Sequence, residues 1–164
     1  MMKYKCMIVP ILIICLLCCG CNKTQNQTQI IFYYCNNQMD YKANNSAIGS
    51  EICNEPIDHL DYDKLLTNYL SGPHSTNLIS PFPSGTSLIN FSLDQQSAHV
   101  VLSDTFATLT GVELTIACVC ISKTVENMTN CATVTISAQN ALLDNQESII
   151  IDAQNIFLTD HVHP

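Results

Sequence analysis

An apolar run near the start of the chain limits which residues are available to fold. Met7–Leu17 is almost wholly apolar and follows a start that carries Lys3 and Lys5. The run is long enough for the core of a signal peptide, but shorter than the roughly 20 residues that a bilayer-spanning helix needs. We therefore predict that residues 1–20 are a targeting segment, and arguments about the fold begin after them.

A small residue followed by a cysteine closes this run. Cys18-Cys19-Gly20-Cys21 has the ending at which a lipoprotein signal peptidase cuts. We predict lipidation at Cys21, and Cys19 is a poorer acceptor because Cys18 would have to serve as the small residue. A diacylglyceryl group supplies two buried chains, and stable anchoring needs two signals. An uncleaved anchor and a plain secretory signal are the alternatives.

The residues after Cys21 are predicted to tether one domain to the outer face of the cell membrane. Asn22–Thr28 (NKTQNQT) is polar and without periodicity. It reaches about 25 Å at full extension, so the domain is expected close to the bilayer. We assign residues 21–28 to the lipidated cysteine and tether, 29–160 to one domain, and 161–164 to a tail.

The predicted mature chain is strongly acidic. Loss of Lys3 and Lys5 with the signal lowers the formal net charge from −8 to −10, and the chain has no arginine. Such a surface is repelled by phosphate backbones and by anionic headgroups. Nucleic acid is therefore excluded as an expected partner, and membrane lipid is expected as a partner only through the anchor.

An odd number of cysteines remains after the predicted cleavage and lipidation: Cys35, Cys53, Cys118, Cys120 and Cys131. At least one is therefore unpaired or bridges to another chain, and a Cys35–Cys53 bridge stays open. Cys118 and Cys120 lie two apart on a predicted helix and point to different faces. We interpret them as small buried hydrophobic residues and not as ligands of one ion.

Two helices are predicted from apolar residues at helical spacing. Asp61–Leu70 has Asp61 as a plausible N-cap, and Ser71-Gly72-Pro73 ends it. Thr110-Gly111-Val112-Glu113 has the form of a capping box for a mostly buried helix that continues to about Asn127.

The strands are predicted around these helices. Cys35–Glu55 is interpreted as a long loop with at most a strand fragment. Ser87–Leu93 and Ala98–Ser103 form a hairpin by pattern, and the apolar run in the second of these predicts burial on both faces. The other predicted strands are Ile30–Tyr34, Ala132–Ser137, Ser148–Ile151 and Asn155–Leu158.

This order predicts an α+β fold. The elements run β-α-β-β-α-β with an extra hairpin as an option. Two helices of this length can cover one face of a four- or five-stranded sheet, which gives a two-layer sandwich.

Several pieces, in this order, resemble the GerM domain of sporulation and spore-germination lipoproteins. They are Leu70-Ser71-Gly72-Pro73, Leu78–Thr86, Val100–Ser103 and Leu109–Thr115, and the likeness covers roughly Ile30 to Ala138. One departure is Ala138–Asn145, which has no glycine where the family usually has a glycine-bearing turn. The resemblance implies a lipid-anchored protein that takes part in assembly during spore formation and not in a reaction.

Candidate chemistry in the sequence is sparse. Asp58, His59, Asp61 and Asp63 could hold a divalent cation, or could solvate and cap the first helix. His161 and His163 could bind a transition metal, or belong to a frayed tail. The chain contains no Gly-x-Ser-x-Gly elbow, no His-Glu-x-x-His pair and no glycine-rich phosphate loop. We therefore name no catalytic residue and expect neither enzyme activity nor a cofactor.

The turn Phe82-Pro83-Ser84-Gly85-Thr86 is open to two interpretations. Proline and glycine fix backbone angles there, which favours a structural role. The turn could also form a partner surface with the Asn36–Asn54 loop, because loops on a rigid scaffold often bind. We predict a membrane-anchored interaction or scaffolding module with a protein partner in the envelope. The alternative is a lipoprotein that binds a small ligand such as a cell-wall fragment or a cation.

Overall fold

Two helices and seven strands form the part of the chain that the computed structural model describes, residues 27–37, 47–56 and 60–156. The helices are α1 (Tyr62–Leu70) and α2 (Gly111–Thr129). Short 3-10 turns occupy Asp104–Thr108 and Ala153–Asn155. The strands are β1 (Gln27–Asn36), β2 (Ile48–Pro56), β3 (Leu78–Ile79), β4 (Leu88–Asp94), β5 (Ser97–Leu102), β6 (Thr133–Ala138) and β7 (Ile149–Asp152).

The strands are divided between two sheets. The first has the order β2-β1-β3 and is antiparallel, and the second has the order β4-β5-β6-β7. Within the second sheet β5 and β6 are parallel, and α2 lies in the crossover between them. The predicted α+β class is confirmed, whereas the strands lie in two sheets instead of one sheet of four or five.

The first strand is longer than its apolar core predicts. β1 extends Ile30–Tyr34 at both ends and takes in Gln27 and Thr28 from the predicted tether. The side chains of Ile30, Phe32 and Tyr34, which alternate along the strand, are buried. One face of the strand therefore forms part of the core.

β2 lies inside the segment that the sequence favours as a loop. It pairs with β1 along its whole length, with Ile52 opposite Ile31 and Ser50 opposite Tyr33. Its sequence, IGSEICNEP, has neither strict alternation nor many β-branched residues. The loop interpretation of Cys35–Glu55 is therefore wrong over 48–55. This segment is a strand because it pairs with β1, and its own sequence pattern does not indicate a strand.

The hairpin of β4 and β5 is confirmed, but β5 is not buried on both faces. Ala98, Val100 and Leu102 are buried, whereas His99 is exposed and Val101 is half-buried. Val100, Val101 and Leu102 are apolar in succession, so the sequence does not show the alternation of buried and less buried residues that the tertiary structure sets. The prediction of two-sided burial is wrong.

The C-terminal part of the second sheet is shorter than predicted. β7 confirms the strand predicted at Ser148–Ile151. Asn155 instead ends a 3-10 turn, in which its N–H donates to Asp152 Oδ1 at 3.3 Å. The strand predicted at Asn155–Leu158 is wrong at its start, and residues 157–158 lie outside the described part.

Helix α1 follows its local signals. Asp61 is the N-cap, and its Oδ1 accepts from the N–H of Lys64 at 3.0 Å. Leu65, Leu66 and Tyr69 are buried on the predicted apolar face.

Helix α2 begins after Thr110 as predicted, but without the capping box. Gly111 has a φ of +56°, so the chain turns before the first regular helical residue and the Thr110 side chain makes no capping hydrogen bond. The N–H of Gly111 donates instead to Asp144 Oδ2 at 2.9 Å. Asp144 belongs to the glycine-free segment 138–145, where left-handed backbone occurs at Asn140, Asp144 and Asn145. Asn and Asp tolerate this conformation, so they can replace a glycine-bearing turn.

Side chains of α2 cover one edge of β1. β3 pairs only with the last two residues of β1, Cys35 and Asn36. Further along, the N–H of Tyr33 donates to Thr124 Oγ1 at 3.0 Å, and the N–H of Ile31 donates to Asn127 Oδ1 at 2.7 Å. These two side chains take the place of a neighbouring strand, because backbone donors of a strand need partners when they leave water.

Replacing Thr124 by valine tests this arrangement. The variant keeps the shape but removes the acceptor, so the free energy of unfolding is expected to fall by about 1–3 kcal/mol. The Tyr33 amide is expected to exchange its hydrogen faster in Thr124→Val and to stay slow in Thr124→Ser, which keeps the hydroxyl. Amide hydrogen exchange measures this, and an equally slow Tyr33 amide in both variants would contradict it.

Of the five cysteines of the predicted mature chain, Cys118, Cys120 and Cys131 are buried, and Cys35 and Cys53 are half-buried. The pairing of β1 with β2 places Cys53 opposite Ile30 and Cys35 opposite Ile48. The two cysteines are therefore offset by about 17 Å along the sheet, which excludes a Cys35–Cys53 bridge. The interpretation of Cys118 and Cys120 as buried residues is confirmed.

No helix among the described residues is long and apolar enough to cross a membrane. The predicted signal segment and Cys21 lie outside those residues.

Candidate functional site

A cluster of four aromatic rings supports the Phe82 turn. The Tyr69 ring lies 5.3 Å from Phe32, 5.0 Å from Tyr34 and 5.1 Å from Phe82, measured between centroids. The hydroxyl of Tyr34 donates to the Tyr69 carbonyl at 2.9 Å, and that of Tyr69 donates to the Tyr33 carbonyl at 2.8 Å. Burial raises the pKa of both hydroxyls, which keeps them protonated as donors. The cluster therefore joins α1, β1 and the turn into one rigid unit.

The turn is held by local hydrogen bonds. The N–H of Phe82 donates to Ser80 Oγ at 3.2 Å, and the N–H of Thr86 donates to the Pro83 carbonyl at 3.1 Å. Gly85 has a φ of +90°, the value that a type II turn needs at its third residue.

The five turn residues divide into an anchor and a tip. Phe82 is buried, Pro83 and Thr86 are half-buried, and Ser84 and Gly85 are exposed. Oγ1 of Thr86 is buried without a hydrogen-bond partner among the described residues. The turn thus presents a two-residue tip on a base that the core fixes.

A cleft of about 490 Å³ lies beside this turn. Its volume falls in the range of small-molecule sites, and most of its walls are apolar. Among the described residues, Glu113 at the start of α2 is the one carboxylate that lines the cleft, and Cys35 of β1 is the one thiol. The lining residues are Cys35, Ser80, Pro81, Phe82, Pro83, Thr108, Leu109, Glu113 and Ile116.

Comparison with known proteins identifies the fold that carries this cleft. No family model and no curated protein matches the sequence. The first GerMN domain of the sporulation protein GerM from Bacillus subtilis is similar with a TM-score of 0.54 and 12% identity, over 76% of this chain and 95% of that domain. The tandem GerMN domains of the same protein are similar with a TM-score of 0.53 and 13% identity, over 82% of this chain and 48% of that chain. The chain has the GerMN fold.

The resemblance to GerM domains seen in the sequence is thereby confirmed as a likeness of fold. The chain spans about half the length of the tandem GerMN structure, so the likeness concerns one GerMN domain. At these identities the comparison establishes the fold alone. The chemistry of the cleft has to be argued from its own residues.

Only part of the predicted partner surface lines the cleft. Phe82 and Pro83 line it, whereas Ser84, Gly85 and Thr86 do not. In the Asn36–Asn54 segment the structure places β2, and residues 38–46 lie outside the described part.

Several cleft residues were not singled out in the sequence as site residues. In the sequence, Glu113 fits a capping box, Cys35 begins the predicted loop, Leu109 belongs to the Leu109–Thr115 resemblance, and Ile116 shows only apolarity. Their convergence depends on how α2 packs on β1. The local hint in the sequence is the acidic Glu113 among the mostly apolar residues 112–121 at the start of the helix.

The metal hypotheses rest largely on undescribed residues. Within the described residues no group of three His, Cys, Asp or Glu side chains could hold a metal ion. Asp61 is engaged as the N-cap of α1, and Asp63 is exposed. The other members, Asp58, His59, His161 and His163, lie outside the described part.

Replacing Gly85 by alanine is expected to lower the free energy of unfolding by about 1–2 kcal/mol. The added Cβ meets open space, so the cost comes from the φ of +90° and not from a clash. Urea denaturation measures the loss. Ser84→Ala is the control, because a change at this exposed neighbour is expected to stay within about 0.5 kcal/mol. Equal effects at the two positions would contradict the strained turn.

Proposed function

We propose that this chain is a membrane-anchored extracytoplasmic lipoprotein whose GerMN-fold domain is a non-catalytic interaction module in sporulation, germination or cell-envelope assembly. The observation that carries the proposal is the likeness to GerMN domains of a sporulation protein. The acidic, arginine-free composition supports a protein partner over nucleic acid.

The proposed anchor sets where the domain acts. Cys21 takes the lipid, and β1 begins at Gln27. The five residues between them, 22–26, reach about 18 Å at full extension. The domain therefore lies within roughly that distance of the outer face of the cell membrane. Its partners are envelope proteins at the same distance from that face.

The proposed partner surface is the tip of the turn together with the mouth of the cleft. Ser84 and Gly85 stand out from a base that Phe82 anchors on Tyr69. A rigid base lowers the entropy that is lost when a partner orders the tip. The adjoining apolar walls supply surface that a partner side chain can bury.

In-cell crosslinking of the anchored protein, followed by mass spectrometry, tests the proposal. Discrete protein adducts are expected for the wild-type chain in the membrane fraction. Cys21→Ala is the control, and we expect it to leave the membrane fraction and to lose those adducts. A membrane-bound Cys21→Ala chain would contradict the anchor. Hydrolytic activity that is lost on a single Ser or His substitution would contradict the non-catalytic role.

The cleft favours a second candidate function, a lipoprotein that holds a cell-wall fragment or a cation. Its volume suits a small molecule, and Glu113 offers one carboxylate to a cationic group. Calorimetric titration with soluble muropeptides and with divalent cations tests this function. Heat that disappears in Glu113→Gln supports it, and absence of heat for the wild-type chain counts against it.

A further inference from the structure

Two cysteines meet where the cleft reaches β1. Cys35 lines the cleft and is half-buried, whereas Cys120 of α2 is fully buried. The two side chains lie close enough that each shifts the pKa of the other. The pair therefore consists of one thiol that a molecule in the cleft can reach and a second thiol behind it.

The contact follows from the way α2 covers the edge of β1. Along the strand, Ile31 and Tyr33 are held by Asn127 and Thr124, and Cys35 is the next residue in the same alternation. Along the helix, Asn127, Thr124 and Cys120 follow one another at a spacing of one turn. Cys35 lies two residues beyond Tyr33, and Cys120 lies one helical turn from Thr124, so the packing of α2 on β1 brings the two cysteines to the same place.

The pKa values of the two thiols shift in opposite directions. The side chain of Cys120 lowers the pKa of Cys35, while partial burial of Cys35 acts in the opposite direction. The side chain of Cys35 and burial raise the pKa of Cys120. Because the thiolate is the nucleophile in disulfide exchange, Cys35 is the attacking thiol and Cys120 the resolving one.

We propose that Cys35 and Cys120 form a thiol–disulfide exchange site that opens on the cleft and takes a small aliphatic disulfide, cationic in preference to anionic. The cleft volume suits such a molecule, and Glu113 on its wall favours a positive charge. The exchange chemistry needs no protein partner, although the exchange site and the proposed partner surface share the mouth of the cleft.

The exchange balances in two steps. Cys35 loses its proton and attacks one sulfur of the bound disulfide, which breaks the disulfide bond and releases one thiolate that takes up the proton. Cys120 then loses its proton and attacks the Cys35 sulfur, forming the Cys35–Cys120 bond and releasing the second thiol. The two cysteines are oxidised by two electrons, and the small disulfide is reduced to two thiols.

Three other cysteines serve as internal comparisons. Cys118 and Cys131 are buried, and burial raises the pKa of both thiols. Cys53 is half-buried on β2, opposite Ile30, and does not line the cleft. Reaction confined to Cys35 and Cys120 is therefore distinguishable from general oxidation of exposed thiols.

The test treats the purified full chain with cystamine, a small cationic disulfide, and maps the products by mass spectrometry. A peptide linked through Cys35 and Cys120 is expected. Cys120→Ser is expected to stop at a mixed disulfide on Cys35, whereas Cys35→Ser gives neither product. Cys53→Ser leaves the linked peptide unchanged. Glu113→Gln is expected to slow the first step with cystamine severalfold and not with oxidised glutathione, which is anionic.

Alkylation of the untreated wild-type chain keeps the test valid if a cysteine variant fails to fold. Iodoacetamide is expected to modify Cys35 about tenfold faster than Cys131. Absence of the linked peptide, or equal alkylation of Cys35 and Cys131, would overturn the exchange site. An unchanged cystamine rate in Glu113→Gln would overturn the charge preference.

Discussion

Tyr69→Ala is expected to lower the free energy of unfolding by about 3–5 kcal/mol, a large share of the stability of a domain of this size. Tyr69 is fully buried at the centre of the aromatic cluster and contacts the rings of Phe32, Tyr34 and Phe82. Removing the ring leaves a cavity between α1, β1 and the turn. Urea denaturation at neutral pH measures the loss.

Tyr69→Phe is the matched control for this prediction. It keeps the ring and removes only the hydroxyl that donates to the Tyr33 carbonyl. A loss of about 1 kcal/mol is expected for that one hydrogen bond. If Tyr69→Ala and Tyr69→Phe lower the free energy of unfolding equally, the ring contacts do not stabilise the turn, which contradicts the prediction.

Raising the pH from about 9 to about 11 is expected to destabilise the fold by about 2–3 kcal/mol through Cys118. Burial raises the pKa of this thiol from 9.0 to about 12. The unfolded chain therefore releases the proton first, so the contribution of Cys118 is complete below pH 9 and is lost as the pH approaches 12. The buried hydroxyls of Tyr34 and Tyr69, whose pKa values burial also raises, act in the same direction above pH 10.

Urea denaturation at both pH values gives this loss as a difference in the free energy of unfolding. Cys118→Ala is the control, because it removes the thiol and with it the Cys118 part of the pH dependence. The variant is expected to be less stable near pH 9, since it leaves a small cavity, and to lose less stability than the wild-type chain on going to about pH 11. An equal fall for the wild-type chain and for Cys118→Ala would contradict the assignment to Cys118.

The parts of the fold that the sequence predicted depend on local signals. Helix α1 has an N-cap at Asp61 and a glycine at Gly72 with a φ of +105°, and both act within a few residues. The hairpin of β4 and β5 has its turn between two strand-like runs, and the structure pairs them antiparallel. Patterns of this kind need no knowledge of the rest of the chain.

The parts that the sequence missed depend on distant partners. β2 exists because β1 offers a pairing edge, and its own residues give no strand signal. The start of α2 was assigned to a capping box, yet Asp144 supplies the hydrogen bond to Gly111 from more than thirty residues away. Local reasoning cannot weigh such a contact against a nearer candidate.

The candidate site divides in the same way. Proline and glycine in the Phe82 turn predict a backbone with fixed angles, and the structure has a type II turn there. The cleft beside it brings together Cys35, Glu113 and Ile116 from separate elements. Nothing in the spacing of these residues predicts that they meet, because their convergence depends on how α2 packs on β1.

Photocrosslinking from one position tests the central claim, that the tip of the turn is the partner surface of an anchored GerMN-fold domain. A photoreactive amino acid replaces Ser84 in the full chain, and in a second variant it replaces Gln96, an exposed residue of the β4–β5 hairpin. β4 runs between these positions and separates them by about 20 Å. A discrete protein adduct from position 84 and none from position 96, in intact cells, is the predicted result. Adducts of equal yield from both positions, or none from position 84, would contradict the claim.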